Sequence, residues 1–169
     1  MFPLVFILLL LAQPSPSDRH LIASVPFIPQ QRNRCGPAAL AMIFNYYHVP
    51  IKAEDLAREI YRRNLSGTLN LDLLINARRH GFMAQTQFGD LETVKSYIRR
   101  EVPVIALVRY RKRFTEQTHF LVIYGFDDEN RQLTVHSGRR GEQNINYPAF
   151  ERSWRPAKNW MLIVERRAE

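Results

Sequence analysis

The chain has 169 residues, of which 46% are hydrophobic, 11% aromatic and 24% charged. That length and apolar share suit one domain with a packed core, and they exclude disorder, collagen-like repeats, coiled coils and polytopic membrane proteins. With 24 Lys and Arg against 16 Asp and Glu, the formal net charge is +8. This favours transient contact with anionic surfaces such as a cell envelope, but an arginine excess is commonly just solvated surface, so no nucleic-acid partner is expected.

In chain order, residues 2–12 (FPLVFILLLLA) come first, an uncharged apolar run followed by the polar stretch QPSPSDRH. A spanning helix needs ~20 apolar residues, so the run reads as the apolar part of a secretory signal with Ala12 before a cut. Residues 1–12 are thus expected to be an export leader, 13–20 a proline-serine spacer and 21–166 the folded domain. The expected location is periplasmic or extracellular, with membrane association if the leader stays uncut. Cys35 is the only cysteine, so no internal disulfide is available.

Residues 21–28 are apolar and β-branched and predict a strand ended by Pro29. From Cys35 the run CGPAALAMIFNYYHV predicts a helix with Pro37 in its first turn. Residues 52–63 predict an amphipathic helix. Asn70 is expected to cap a third helix that Gly81 stops, and Asp90 a fourth over LETVKSYIRR. Residues 82–88, 103–108, 118–126, 133–136 and 160–165 predict strands, with a short helix over 148–154 and a polar loop, RKRFTEQT, before His119. Helices crowd the first half and strands the second. The fold class is therefore α+β: a helical N-terminal half carrying Cys35, packed on an antiparallel sheet carrying His119.

Cys35 stands where a polar loop meets a helix start. Unpaired N–H groups there favour an anion, so its thiol is expected to have a lowered pKa and to act as a nucleophile. A thiolate needs an imidazole partner. His20, His48 and His80 read as spacer or helix-end residues, whereas His119 opens the apolar strand HFLVIYGF. A helix-start Cys and a strand-start His from opposite halves describe a cleft between subdomains. An oxyanion also needs donors. The Cys35 N–H is one, and the side-chain amide of Gln30 or Gln31 is a candidate second.

The segments VPFIPQQRNRCGPAALAMIFNYY and HFLVIYGFDDENRQLTVHSG resemble the bacteriocin-processing (double-glycine leader) cysteine peptidase family of the papain-like superfamily, in its soluble stand-alone branch, over residues 24–165. The resemblance implies a papain-like fold, with Cys35 as nucleophile, His119 as general base and acid, and Gln30 as oxyanion donor with Gln31 the alternative. It implies a peptide or protein substrate and neither cofactor nor metal. The family orients its histidine with an Asp before a proline, and here His136-Ser137-Gly138 stands in that place.

Asp127 and Asp128 lie eight and nine residues beyond His119, over ~20 Å away along a straight strand, and belong to the turn DDEN. Folding the chain back at that turn brings Ser137 beside His119, and one residue of register decides between Ser137 and His136 as the orienting group. Ser137 is the better candidate. Phosphate-binding, zinc-protease, CxxC and GxSxG motifs are absent from the sequence. Arg109, Arg111, Lys112 and Arg113 read as solvent-facing charge, or else as a rim attracting acidic substrate. The expected function is hydrolysis of a peptide bond through a thioester. The alternatives are a non-catalytic peptide-binding domain and an acyl transferase on the same scaffold.

Overall fold

The computed structural model describes residues 18–112 and 115–167. The expected export leader, residues 1–12, and most of the spacer lie outside the described residues. Among those residues no helix is long and apolar enough to cross a membrane.

Five helices and seven antiparallel strands follow one another as β1 (Arg19–Leu21), α1 (Cys35–Tyr46), α2 (Ala53–Ile60), α3 (Asn70–Arg79), β2 (Met83–Phe88), α4 (Leu91–Arg99), β3 (Val104–Lys112), β4 (Thr115–Asp127), β5 (Gln132–His136), β6 (Glu142–Asn146), α5 (Tyr147–Trp154) and β7 (Trp160–Glu165) among the described residues. The sheet runs β2-β7-β3-β4-β5-β6, and β1 pairs with the end of β4 that β3 does not reach. The α+β class with helices crowding the first half is as the residue pattern predicts.

α1 is the structural axis. Residues Gly36 through Phe44 are all buried, so the helix is apolar on every side and must lie within the core. It touches α2, α3 and β4. Cys35, half-buried, stands at its N-terminal end, and Gly36 is what allows the next layer to close: a Cβ there would sit 2.9 Å from Thr68 Cβ. The loop bearing Thr68 is fastened by Arg62, whose guanidinium donates to both Asp72 carboxylate oxygens at 2.9 and 2.7 Å.

Several boundaries differ from the sequence expectation. The strand expected over 21–28 is confined to β1, because beyond Leu21 the edge of β4 is occupied by β3 and Pro26 and Pro29 lack N–H groups. Asn70 lies inside α3 rather than capping it, the boundary residue being Leu69. Asp90 does cap α4, accepting from Thr93 N–H at 2.8 Å. The polar stretch before His119 continues the β3–β4 hairpin through Lys112 and Thr115. His119 is therefore the fifth residue of β4, at the point where the strand passes from exposed ribbon into core. β6, a polar edge strand of sequence EQNIN, has no apolar run to announce it.

One irregularity in β4 matters for the site. Ile123 pairs with Val135 but Gly125 pairs with Thr134, so Tyr124 is an extra residue that β5 does not match. This bulge shifts the register by one and sets Val122 opposite His136. The next residue, Ser137, then falls opposite Leu121, on the same sheet face as His119. Were Tyr124 instead paired with Val135 in unbroken register, Ile123 would oppose His136 and His136 would face His119's side.

Candidate active site

The elements above bring Cys35 and His119 into one cleft of about 820 Å³, lined also by Gln30, Gln31, Ser66 and Gly138. The N–H of Phe120, the residue after His119, is aimed at the Cys35 sulfur. The sulfur thus meets the β4 backbone directly beside the histidine. β5 ends at His136, leaving this stretch of β4 free on that side for the helix start to approach.

Burial pushes the Cys35 thiol above its ordinary pKa, and N–H groups of Phe120, Gly36 and Cys35 itself pull the other way. Burial prevails, which reverses the lowered value expected from a helix N-terminus. The helix-start donors are present as expected; the desolvation by surrounding loops was not visible in the sequence. His119 is also desolvated, which holds its pKa below that of free imidazole, with no carboxylate acting on it. Both partners are therefore neutral in the unliganded protein at neutral pH.

His119 Nε2 lies 3.0 Å from Ser137 Oγ. Between the two candidates, the bulge at Tyr124 selects Ser137. His136 is buried on the other face, its Nε2–H donating to Val25 carbonyl at 2.9 Å and its ring packed on Phe27 and Tyr124. That bond anchors the irregular segment leading to Gln30. Asp127 and Asp128 are engaged in the turn and with Lys95, as their position predicts.

Gln30 is buried and bridges three elements. Its Nε2 donates to Phe120 carbonyl at 3.1 Å, its Oε1 accepts from Gly138 N–H at 2.7 Å, and its own N–H donates to Gly138 carbonyl at 2.9 Å. One Nε2 hydrogen remains for the cleft, since an amide carries two. Gln31 also lines the cleft but is exposed, with Nε2 donating to Glu54 at 3.3 Å. The sequence left Gln30 and Gln31 open; burial and bonding favour Gln30. Gln143, which the sequence did not flag, donates to the Ser137 carbonyl at 2.5 Å. Its polar strand carried no signal that it braces Ser137.

Arg109 does not stand free at the rim: it lies 3.6 Å from Glu116 across the hairpin. Among the described residues no group of three or more His, Cys, Asp and Glu side chains is arranged to hold a metal ion. The cleft thus brings together a thiol, an imidazole hydrogen-bonded to Ser137, and a buried side-chain amide with one uncommitted N–H.

The sequence model of the Peptidase_C39-like family matches residues 22–161. No curated protein matches the chain. Among solved structures, the peptidase domain of Streptococcus ComA, a bi-functional ABC transporter of a quorum-sensing pathway, is 23% identical with a TM-score of 0.70, covering 85% of this chain and 99% of that one. A double-glycine-motif protease from an AMS/PCAT transporter, solved with its leader peptide, is 23% identical with a TM-score of 0.67, covering 89% of this chain and 99% of that one. A C39-like chain from Bacillus anthracis is 15% identical with a TM-score of 0.71, covering 90% of this chain and all of that one. These likenesses are of fold.

Proposed function

Because the chain belongs to the Peptidase_C39-like family, we propose that it is a cysteine peptidase that cleaves a peptide bond through a thioester. The reading is carried by one observation: Cys35 and His119 line the same cleft, and His119 Nε2 lies 3.0 Å from Ser137 Oγ.

Nε2–H of His119 donates to Ser137 Oγ, which leaves Nδ1 as the base. As the substrate carbonyl enters, the Cys35 S–H proton passes to Nδ1 and sulfur bonds to the carbonyl carbon. The oxyanion is met by the Cys35 N–H and the second hydrogen of Gln30 Nε2. Collapse expels the amine, which takes the proton from His119, and leaves a thioester. Water, deprotonated by the same nitrogen, hydrolyses it and restores the thiol. The neutral resting pair means that charge separates only when substrate is bound, rather than before.

Peptides that carry a double-glycine motif with further residues on its carboxyl side are the first substrates to try, since the leader-bound neighbour is described as a double-glycine-motif protease. Incubation with such peptides and with a mixed peptide library, read by mass spectrometry, should give defined cuts that Cys35→Ala abolishes. Cuts that persist in Cys35→Ala would remove Cys35 as nucleophile. The apolar run over residues 2–12 supports placing this reaction outside the cytoplasm; amino-terminal sequencing of exported protein tests that placement.

A non-catalytic peptide-binding domain is the second reading. It is favoured by the missing carboxylate at His119 and by burial that opposes ionisation of both partners. Peptide binding by the wild-type protein with no turnover of any bound peptide would establish it.

A further inference from the structure

The cleft continues past His119 into a second groove of about 510 Å³, with Val108, Leu121 and Ile145 among its lining residues. Among the described residues, every charged side chain lining either space is an arginine, Arg32 and Arg139 in the first and Arg139 and Arg140 in the second, and no carboxylate lines either one. All three arginines are exposed, and none is in a salt bridge with a described residue.

Their placement is fixed by the backbone rather than by long flexible loops. Gly138 is held through both its N–H and its carbonyl by Gln30, and the Ser137 carbonyl is held by Gln143. Gly138 and Gly141 take φ of +66° and +76°, the left-handed region, so the chain turns sharply around Arg139 and Arg140. The two guanidinium groups therefore project from a clamped corner immediately after the residue that orients His119. Arg32 stands on the neighbouring loop, two residues beyond Gln30.

We propose that this cleft selects acidic peptides, with Arg139, Arg140 and Arg32 receiving Asp or Glu side chains that flank the scissile bond. This deepens the peptidase reading and rests on it for the cut, although not for the binding. A guanidinium offers paired N–H donors matched to a carboxylate, and a concave site with one sign of charge concentrates ligands of the other. The Val108, Leu121 and Ile145 surface would take an apolar residue next to the acidic one.

The test uses the full chain carrying Cys35→Ala, so that binding is read apart from turnover. The probes are a fluorescein-labelled peptide of alternating Asp and Leu and its Asn–Leu counterpart, compared by anisotropy at low and physiological salt. The Asp peptide should bind about tenfold tighter, an advantage that falls at least about fivefold when Arg139→Gln and Arg140→Gln are combined, and that shrinks with salt. Removing the same charge with Arg79→Gln and Arg166→Gln, near the other end of α1 where His80 packs on Phe44, should leave it unchanged. Equal binding of both peptides, or equal loss in the two double variants, would overturn the proposal and leave only bulk attraction to a +8 chain. Running the same peptides over the wild-type protein separates the readings. Selective binding keeps the acidic preference even if the double-glycine and library digests show no cleavage, which would remove the peptidase; hydrolysis indifferent to Asp does the reverse.

Discussion

Ser137 Oγ lies 3.0 Å from His119 Nε2, a hydroxyl on the imidazole that shares its cleft with Cys35. A hydroxyl fixes the tautomer and the ring plane, but it adds no negative charge to stabilise an imidazolium. The expected kinetic consequences can be separated by substitution. Ser137→Ala should lower kcat roughly tenfold, the worth of one neutral hydrogen bond, with KM little changed. Ser137→Asp should raise kcat, and it should also move the acidic limb of kcat/KM to higher pH, because an adjacent carboxylate favours the protonated ring. No change in that limb would mean that Ser137 does not act on His119.

The directions of the two pKa shifts set the pH behaviour of the free protein. Cys35 is raised, so its thiolate fraction at neutral pH is below that of a free thiol. Alkylation by iodoacetamide should accordingly be slower than that of free cysteine at neutral pH and should climb only above the ordinary thiol range. His119 is lowered, so the ring stays unprotonated to more acidic pH than free imidazole. The acidic limb of kcat/KM should lie below about 6.5. Rapid alkylation below neutral pH would instead indicate a preformed ion pair.

Gln30 ties Phe120 to Gly138 and thereby holds His119 and Ser137 at bonding distance. Gln30→Ala should reduce kcat by about 10²–10³, as for loss of an oxyanion donor, and should also lower stability by about 1–3 kcal/mol because Gly138 N–H and Phe120 carbonyl lose their partner. Gln30→Glu keeps an acceptor for Gly138 N–H but removes the donors. Because Gln30 is buried, the new carboxylate oxygen also faces the Phe120 carbonyl unpaired, so Gln30→Glu should lose at least as much thermal stability as Gln30→Ala along with comparable activity, as calorimetry beside kinetics would show.

Gly36→Ala tests the close approach of Thr68. Its Cβ would stand 2.9 Å from Thr68 Cβ and 3.2 Å from Thr68 Oγ1, so the loop must retreat. The helix gains propensity from alanine, yet overpacking of this kind typically costs about 1–3 kcal/mol. A lowered unfolding temperature with altered Cys35 alkylation is expected; an unchanged protein would mean that the loop yields freely.

Much of this site was legible before any coordinates. A cysteine after a polar loop and opening CGPAALAM carried a helix-start signal, and a histidine leading into FLVIYGF marked a sheet position. What the residues could not convey was environmental. The rise in the Cys35 thiol comes from loops folding over it, which no local pattern encodes. The length of the β3–β4 hairpin was missed because its outer half is polar, where periodicity gives no strand signal. The charged corner at Arg139 and Arg140 was likewise unmarked, whereas Arg109, flagged as rim charge, pairs with Glu116.

The unmatched Tyr124 in β4 has a further consequence for how such a site is lost. Were Tyr124 drawn into unbroken pairing with Val135, the register would slip so that Ile123 faced His136, which would turn His136 toward His119 in place of Ser137 while every side chain that lines the cleft stayed intact. An inventory of catalytic residue types would pass such a chain as functional. Whether a relative of this chain works thus depends on how its two strands pair between the histidine and the turn, not only on which residues are kept.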